Sequence, residues 1–206
     1  MRRNKGNLFV VSAPSGAGKT TLCQMLGQTM QNIRHSVSYT TRQPRAGEVN
    51  DRDYTFLGEA EFKRMVDDGG FAEWAVVHGN IYGTSRKRLD AMLSNGIDVI
   101  LDIDVQGAAK IKEVYENGIF IFILPPSMEA LRRRLASRMS NSEDEIRMRM
   151  QKARAEIREY KNYDYVIVND IFDDALHGLE AIVAAGRART GNLDREWVEK
   201  NFLEED

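Results

Sequence analysis

The chain has a single cysteine, Cys23, so no intrachain disulfide is possible and a reducing compartment fits. Cys23 sits in TTLCQML, where it reads as a small buried apolar side chain. There are only three histidines, His35, His78 and His177; they lack metal-ligand spacing and are assigned no chemistry. No apolar run is long enough to span a bilayer, and the run after the basic start MRRNKG is too short for a signal peptide. The chain therefore reads as cytoplasmic and complete, with no membrane partner. An excess of one charge is missing as well: 29 Lys and Arg face 31 Asp and Glu, a net charge of −2. No global field draws it to nucleic acid, and any anion site has to be a local cluster of arginines. Internal repeats and low-complexity linkers are also absent. What remains, 42% hydrophobic and 29% charged over 206 residues, suits a globular protein with one substantial core and small insertions.

Apolar runs alternate with helix-period segments. LFVVS (8–12), DVILDID (98–104), GIFIFIL (118–124) and DYVIVN (164–169) read as buried strands, and HSVSYT (35–40) as a fifth. Helices are expected from Gly18 to about Ile33 and from Val105 to Asn117. Continuous Val/Ile runs joined by helices predict a parallel sheet covered on both faces, an α/β fold. Two regions break the rhythm. Residues 38–91 hold a Gly/Pro/Arg loop and short strand-like pieces, YTFLG, GFAEWAVVHG and NIYGTS, which suggest a small antiparallel insertion. Residues 127–160 read as a helical pair, with Ser127 capping the first helix and SEDE (142–145) forming a capping box for the second. The core is then 1–37, 92–126 and 161–206.

SAPSGAGKTT (12–21) follows a predicted strand and opens a predicted helix. It fits the phosphate-loop pattern G-x-x-x-x-G-K-[ST] except that Ala13 replaces the first glycine. The loop Ala13, Pro14, Ser15, Gly16, Ala17, Gly18, Lys19, Thr20 and Thr21 would aim backbone N–H groups and a helix N-terminus at a polyphosphate. Lys19 adds a point charge, and the Thr20 hydroxyl can ligate Mg²⁺. Ala13 lies at the strand exit, where a β-like backbone accommodates a methyl group. In LDIDVQG (101–107), Asp102 ends a buried strand beside the loop and is the Walker-B candidate for Mg²⁺ or its waters. The same stretch contains D-x-x-G, as a GTPase would, but no N-K-x-D follows, so a switch GTPase is a minor alternative.

TRQPRAGEVNDRDYTF presents Arg42, Arg45 and Tyr54 in one compact loop. Two forked guanidiniums and a phenol hydroxyl suit a phosphate dianion. FAEWA and NIYGTS follow within the same insertion, then ILDIDVQG, LRRRLASR and VIVND. On these motifs the chain resembles the guanylate kinases, P-loop nucleoside monophosphate kinases, over nearly its whole length; residues beyond about 188 carry none of the motifs. It departs at Ala13, as many bacterial members do, at Thr84 where serine is common, and at Met139 where glycine is frequent.

The resemblance implies ATP and GMP as substrates, dGMP as a further acceptor, Mg²⁺ with ATP, an inserted α+β GMP-binding domain and a helical lid. It places Arg42, Arg45, Tyr54 and Tyr82 on the GMP phosphate, and Ser38, Glu73 and Thr84 on the guanine. Asp104 would contact the nucleotide from the sheet side, and Asn169 would lie near the adenine of ATP. A carboxylate at Glu73 accepts from guanine N1–H and the N2 amine together, whereas adenine lacks both donors. Arg134 and Arg138 stand at i and i+4 on one helix face, and with Arg149 they resemble the family's lid arginines, neutralising charge on the phosphoryl group in flight. Arg132, Arg133, Arg147, Arg154 and Arg158 read as surface charges. Two rivals are a related kinase acting on a phosphorylated sugar and a non-catalytic interaction module. The first needs no guanine reader, and the second typically loses the phosphate loop or lid arginines. The tail DREWVEKNFLEED has apolar residues at helical spacing, which would cover the core or a neighbouring subunit in a homo-oligomer.

Overall fold

The computed structural model describes residues 5–77, 79–137 and 142–203. Five strands make one wholly parallel sheet: β1 (Leu8–Ser12), β2 (Ile33–His35), β7 (Asp98–Asp102), β8 (Ile119–Leu124) and β9 (Tyr165–Val168), in the order β2-β7-β1-β8-β9. Strands buried on both faces need side chains that serve two cores, and β1 shows it. Phe9 and Val11 join Ile121 and Ile123 under α1 (Lys19–Thr29) and α7 (Phe172–Arg187). Leu8 and Val10 point the other way, to a second cluster with Leu89 of α3 (Arg86–Ser94) and Ile111 of α4 (Val105–Val114). Cys23 is fully buried in the first cluster, and that burial drives its thiol pKa up, so it is a packing residue.

The second sheet has the order β4-β3-β6-β5, from β3 (Tyr39–Thr40), β4 (Thr55–Phe56), β5 (Phe71–Val77) and β6 (Asn80–Ser85). Its β3–β4 pair is parallel and its other pairs are antiparallel, so the expected antiparallel insertion is a mixed sheet. The expected strand 35–40 is two strands in different sheets. Ile33–His35 pairs with β7, and Tyr39–Thr40 pairs with β4 and β6, the polar link between them carrying the chain across. For the same reason the first helix stops at Thr29: Met30 is extended and Asn32 turns left-handed (φ 57°) so that Ile33 can enter the sheet. Sequence reading also missed α2 (Glu59–Asp67) and α3. In α2 the Glu59–Lys63 pair at i,i+4 and the Phe62 ring stacked on Phe71 at 4.4 Å carry the helix.

The helical pair is present as α5 (Met128–Ala136) and α6 (Glu143–Arg158). Ser127 accepts from Ala130 N, and Ser142 with Glu145 forms the capping box. Leu131, Leu135 and Ala153 pack between the two helices with Met128 and Met150. On α6 Ile146 and Ala153 are buried, and Glu156 is more buried than Ile157. The Arg132–Glu143 and Arg147–Asp144 pairs are exposed, as surface charges should be. In the tail, Trp197 meets Phe202 edge-on, but Phe202 and Leu203 are 67% and 69% exposed, so they do not cover this core. Arg138, Met139 and His78 lie outside the described residues.

Candidate active site

The loop leaves β1 at the carboxyl end of the sheet, where α/β proteins bind their ligands. Left-handed backbone falls on Gly16 (φ 94°) and Gly18 (φ 91°), while Ala13 is buried in the core and needs no such conformation. The backbone at position 13 therefore makes no demand for glycine. Gly18 is constrained twice: a Cβ there would lie 2.4 Å from the Asn169 side-chain nitrogen. That amide donates to the Ala17 carbonyl at 2.7 Å, so Asn169, at the exit of β9, ties the loop to the sheet. Gly16 lies under Leu131 and Leu135, which seats α5 directly on the loop.

Parallel pairing sets Val11 beside Asp102, and this brings the Walker-B candidate next to the loop. Lys19 forms an ion pair with Asp102 and donates to the Ile103 carbonyl at 3.0 Å. The Asp102 carboxylate, paired with that lysine, and the hydroxyl of Thr20, the next residue in the chain, are hard-oxygen donors. Among the described residues no three His, Cys, Asp or Glu side chains cluster as a metal cage. So sparse a set suits an ion that arrives with substrate phosphates and keeps several waters, the habit of Mg²⁺.

On the small sheet, β-pairing sets Glu73 opposite Thr84, just after an irregularity in the ladder at Phe71. The Thr84 hydroxyl donates to Glu73 Oε1 at 2.7 Å, and both side chains are buried. Burial pushes the Glu73 carboxyl above the usual carboxylate range; the Thr84 hydrogen bond opposes this, Asp104 adds to it and Lys110 opposes it. Asp104 caps α4, accepting from Gly107 N at 2.9 Å, so the D-x-x-G spacing serves here as a helix cap. A Cβ on Gly107 would stand 3.0 Å from Glu73 Oε2 and 3.3 Å from Asp104 Oδ1. The bare glycine thus lets two carboxylates share one small space at a helix N-terminus. Ser38 is half-buried, and its carbonyl accepts from Thr55 N at 2.9 Å.

Arg42, Tyr54 and Tyr82 come together beside this pocket. Arg42 lies 5.3 Å from the Tyr54 ring centroid, and Tyr54 meets Tyr82 edge-on at 5.9 Å. Burial pushes the Tyr54 phenol up, which keeps it a donor. Arg45 is exposed in the same loop. Sequence reading missed what holds this loop. Glu48 accepts from Arg42, and Arg88 of α3 donates to Thr55 at 2.8 Å and to Asp51 at 3.0 Å. Asp51 takes a left-handed backbone (φ 60°), a turn signal that its place in VNDRDY hinted at.

On α5, Arg134 donates to the Asn169 carbonyl at 2.9 Å, so the arginine and the phosphate loop share one anchor. Arg149 is half-buried on α6. Glu156 is 8% exposed, and burial raises its carboxyl, with Lys152 3.5 Å away opposing.

Comparison with known proteins matches the same stretches. The family model described as guanylate kinase matches residues 5–186. Guanylate kinases of Geobacter metallireducens and Geobacter sulfurreducens are 57% and 51% identical over 188 and 191 residues, covering 91% and 93% of this chain and 93% and 94% of theirs. The crystal structure of guanylate kinase from Anaplasma phagocytophilum matches with a TM-score of 0.81 at 37% identity, over the whole of both chains. Agreement this deep in sequence, and this complete in fold, leaves one conclusion: the chain belongs to the guanylate kinase family.

Proposed function

We propose that the chain transfers the γ-phosphoryl group of ATP to GMP, and to dGMP, giving ADP and GDP or dGDP. One observation supports this most: a buried carboxylate, Glu73, oriented by Thr84, stands on the same small sheet as the Arg42–Tyr54–Tyr82 group. A phosphorylated sugar offers nothing for the buried carboxylate to read, and a scaffold module has no use for Lys19, Thr20 and Arg134 around the phosphate loop. Residues 38–91 would form the acceptor domain and 127–160 the lid, on a core built from the rest.

Mg²⁺ bound with ATP supplies charge neutralisation and orients the phosphates, with Thr20 and Asp102 as the residues that would hold it. Lys19 and the loop N–H groups would bind the donor phosphates. Arg42, Arg45, Tyr54 and Tyr82 would fix the acceptor phosphate in line. No general base is needed, because the phosphate of GMP is already an anionic nucleophile near neutral pH. Catalysis is then alignment, charge neutralisation by Arg134, Arg138 and Arg149, and exclusion of water as the lid closes. Among the described residues no helix is long and apolar enough to cross a membrane. A cytoplasmic compartment and a homo-oligomer remain part of this proposal, with no nucleic acid as partner.

A coupled assay with ATP and Mg²⁺ across GMP, dGMP, AMP, CMP and UMP tests the reading; equal rates with GMP and AMP would sink it. Arg134 gives a second test. Arg134→Ala should lower kcat on the order of 100-fold while changing nucleotide affinity little, since its charge matters most when negative charge is in transit. An effect confined to KM would make Arg134 an ordinary binding residue.

A further inference from the structure

Glu48 is the carboxylate that folds back onto both Arg42 and Arg45 in the arginine loop. Arg45 to Glu48 is a tight turn: Glu48 N donates to the Arg45 carbonyl at 3.1 Å, and Gly47 takes a left-handed backbone (φ 87°). The turn sends the Glu48 side chain back over its own start. There its Oε2 accepts from Arg45 N at 2.7 Å, and its two oxygens accept from Arg42 Nη2 at 2.8 and 3.0 Å. Arg42 Nη1 donates in turn to the Gln43 carbonyl at 2.8 Å, and the guanidinium lies 5.3 and 5.8 Å from the Tyr54 and Phe56 ring centroids. A long, flexible cation is thereby fixed from one end and one face. The pair is well shielded for a surface loop, with the two side chains 13% and 20% exposed.

From this geometry we infer that Glu48 is a positioning residue for the acceptor phosphate: it locks Arg42 and the Arg45 backbone in the arrangement that receives the dianion. The inference rests on the reading of Arg42 and Arg45 as that receptor. An ion pair in a surface loop adds little to stability by itself. Its effect here is preorganisation, because a guanidinium already held in place loses less freedom when the phosphate arrives. A competing arrangement has the opposite sign. If the carboxylate occupied the place of the phosphate, its removal would free the arginine and strengthen GMP binding. Two contacts argue against it. Glu48 is bound by the backbone of Arg45 as well as by Arg42, and both its oxygens engage Nη2 while Nη1 is held by the Gln43 carbonyl.

The test is calorimetric binding of GMP and of guanosine to the full chain, with Glu48→Gln, Glu48→Ala, Arg42→Met and the Glu48→Gln/Arg42→Met double variant. The expected result is a loss of GMP affinity of about 10- to 100-fold in Glu48→Gln, with guanosine affinity unchanged. In the double variant the loss should be close to that of Arg42→Met alone, since Glu48 acts through Arg42. Steady-state kinetics should show KM for GMP raised, KM for ATP unchanged and kcat altered by less than about threefold. Glu48→Gln keeps the side chain's shape, so it serves if Glu48→Ala fails to fold. Tighter GMP binding, or equal losses for GMP and guanosine, would overturn the assignment. So would a Glu48→Gln variant that binds GMP normally while Arg42→Met does not. If Arg42→Met itself binds GMP normally, the receptor reading fails first and the role of Glu48 with it.

Discussion

Lys19→Ala is expected to lower phosphoryl transfer by on the order of a thousandfold or more, with GMP still bound at near-normal affinity. Lys19 opens α1 at the loop, paired with Asp102 and bonded to the Ile103 carbonyl. With ATP in place its ammonium would turn to the phosphates and leave Asp102 free to hold the cation and its waters. The substitution therefore removes a charge from the transferring group and leaves Asp102 without its partner. Asp102 is 19% exposed, so water reaches it and the stability cost should be modest. On the proposed reading the acceptor pocket lies on the second sheet and at the start of α4, so GMP binding should survive. Single-turnover transfer and GMP calorimetry on the same variant separate the two effects. Near-normal turnover would remove Lys19 from the donor site.

The phosphate-loop segment was legible because its signals are local. A buried strand, a glycine turn and a helix start are adjacent in sequence, and β1–loop–α1 formed as expected. Asp102 was legible for a related reason: it ends a continuous apolar run, and parallel pairing sets such ends side by side. The Ser127 and Ser142 caps were equally local. The small sheet and its arginine loop were harder. Strands of two or three residues, such as Tyr39–Thr40 and Thr55–Phe56, carry no periodicity, so residues 35–40 looked like one strand instead of two. What holds the acceptor loop is tertiary: Arg88 reaches Asp51 from 37 positions away, which no spacing rule reveals. Glu48 was within view in RAGE, yet a charge among arginines in a loop reads as solvated until the turn at Gly47 is seen to fold it back. Asn169 shows a different gap. The resemblance points it at adenine, while its side chain is already bonded to the Ala17 carbonyl; a strand-end amide gives no sign of this in sequence.

Glu73→Gln should cost about 2–4 kcal/mol in kcat/KM for GMP, roughly 30- to 1,000-fold, from the loss of a charge-assisted pair in a desolvated pocket. The amide keeps the shape, and its oxygen can still accept from Thr84. Its nitrogen then faces guanine's own N–H groups and leaves one of them unpaired. AMP activity should fall much less, or rise, because the amide can donate to adenine N1. Stability should move the other way from GMP activity. Glu73 is 7% exposed with its carboxyl raised first by burial and further by Asp104, against the Thr84 hydrogen bond and Lys110. A carboxyl raised in the folded state binds protons more readily folded than unfolded, so its ionisation costs stability above the ordinary carboxylate range. That cost is absent in acid, below the ordinary value, and grows as pH rises until the folded carboxyl has ionised. The neutral amide removes it, so ligand-free melting near neutral pH should stay level or improve. GMP binding has the reverse dependence, because only the ionised carboxylate accepts both guanine donors. In the parent enzyme kcat/KM for GMP should therefore drop on acidification with an apparent pKa above that of an ordinary glutamate, and in Glu73→Gln that step should vanish. Equal losses with GMP and AMP, together with a lower melting temperature, would make Glu73 a support of the fold, and guanine selection would pass to Ser38 and Thr84.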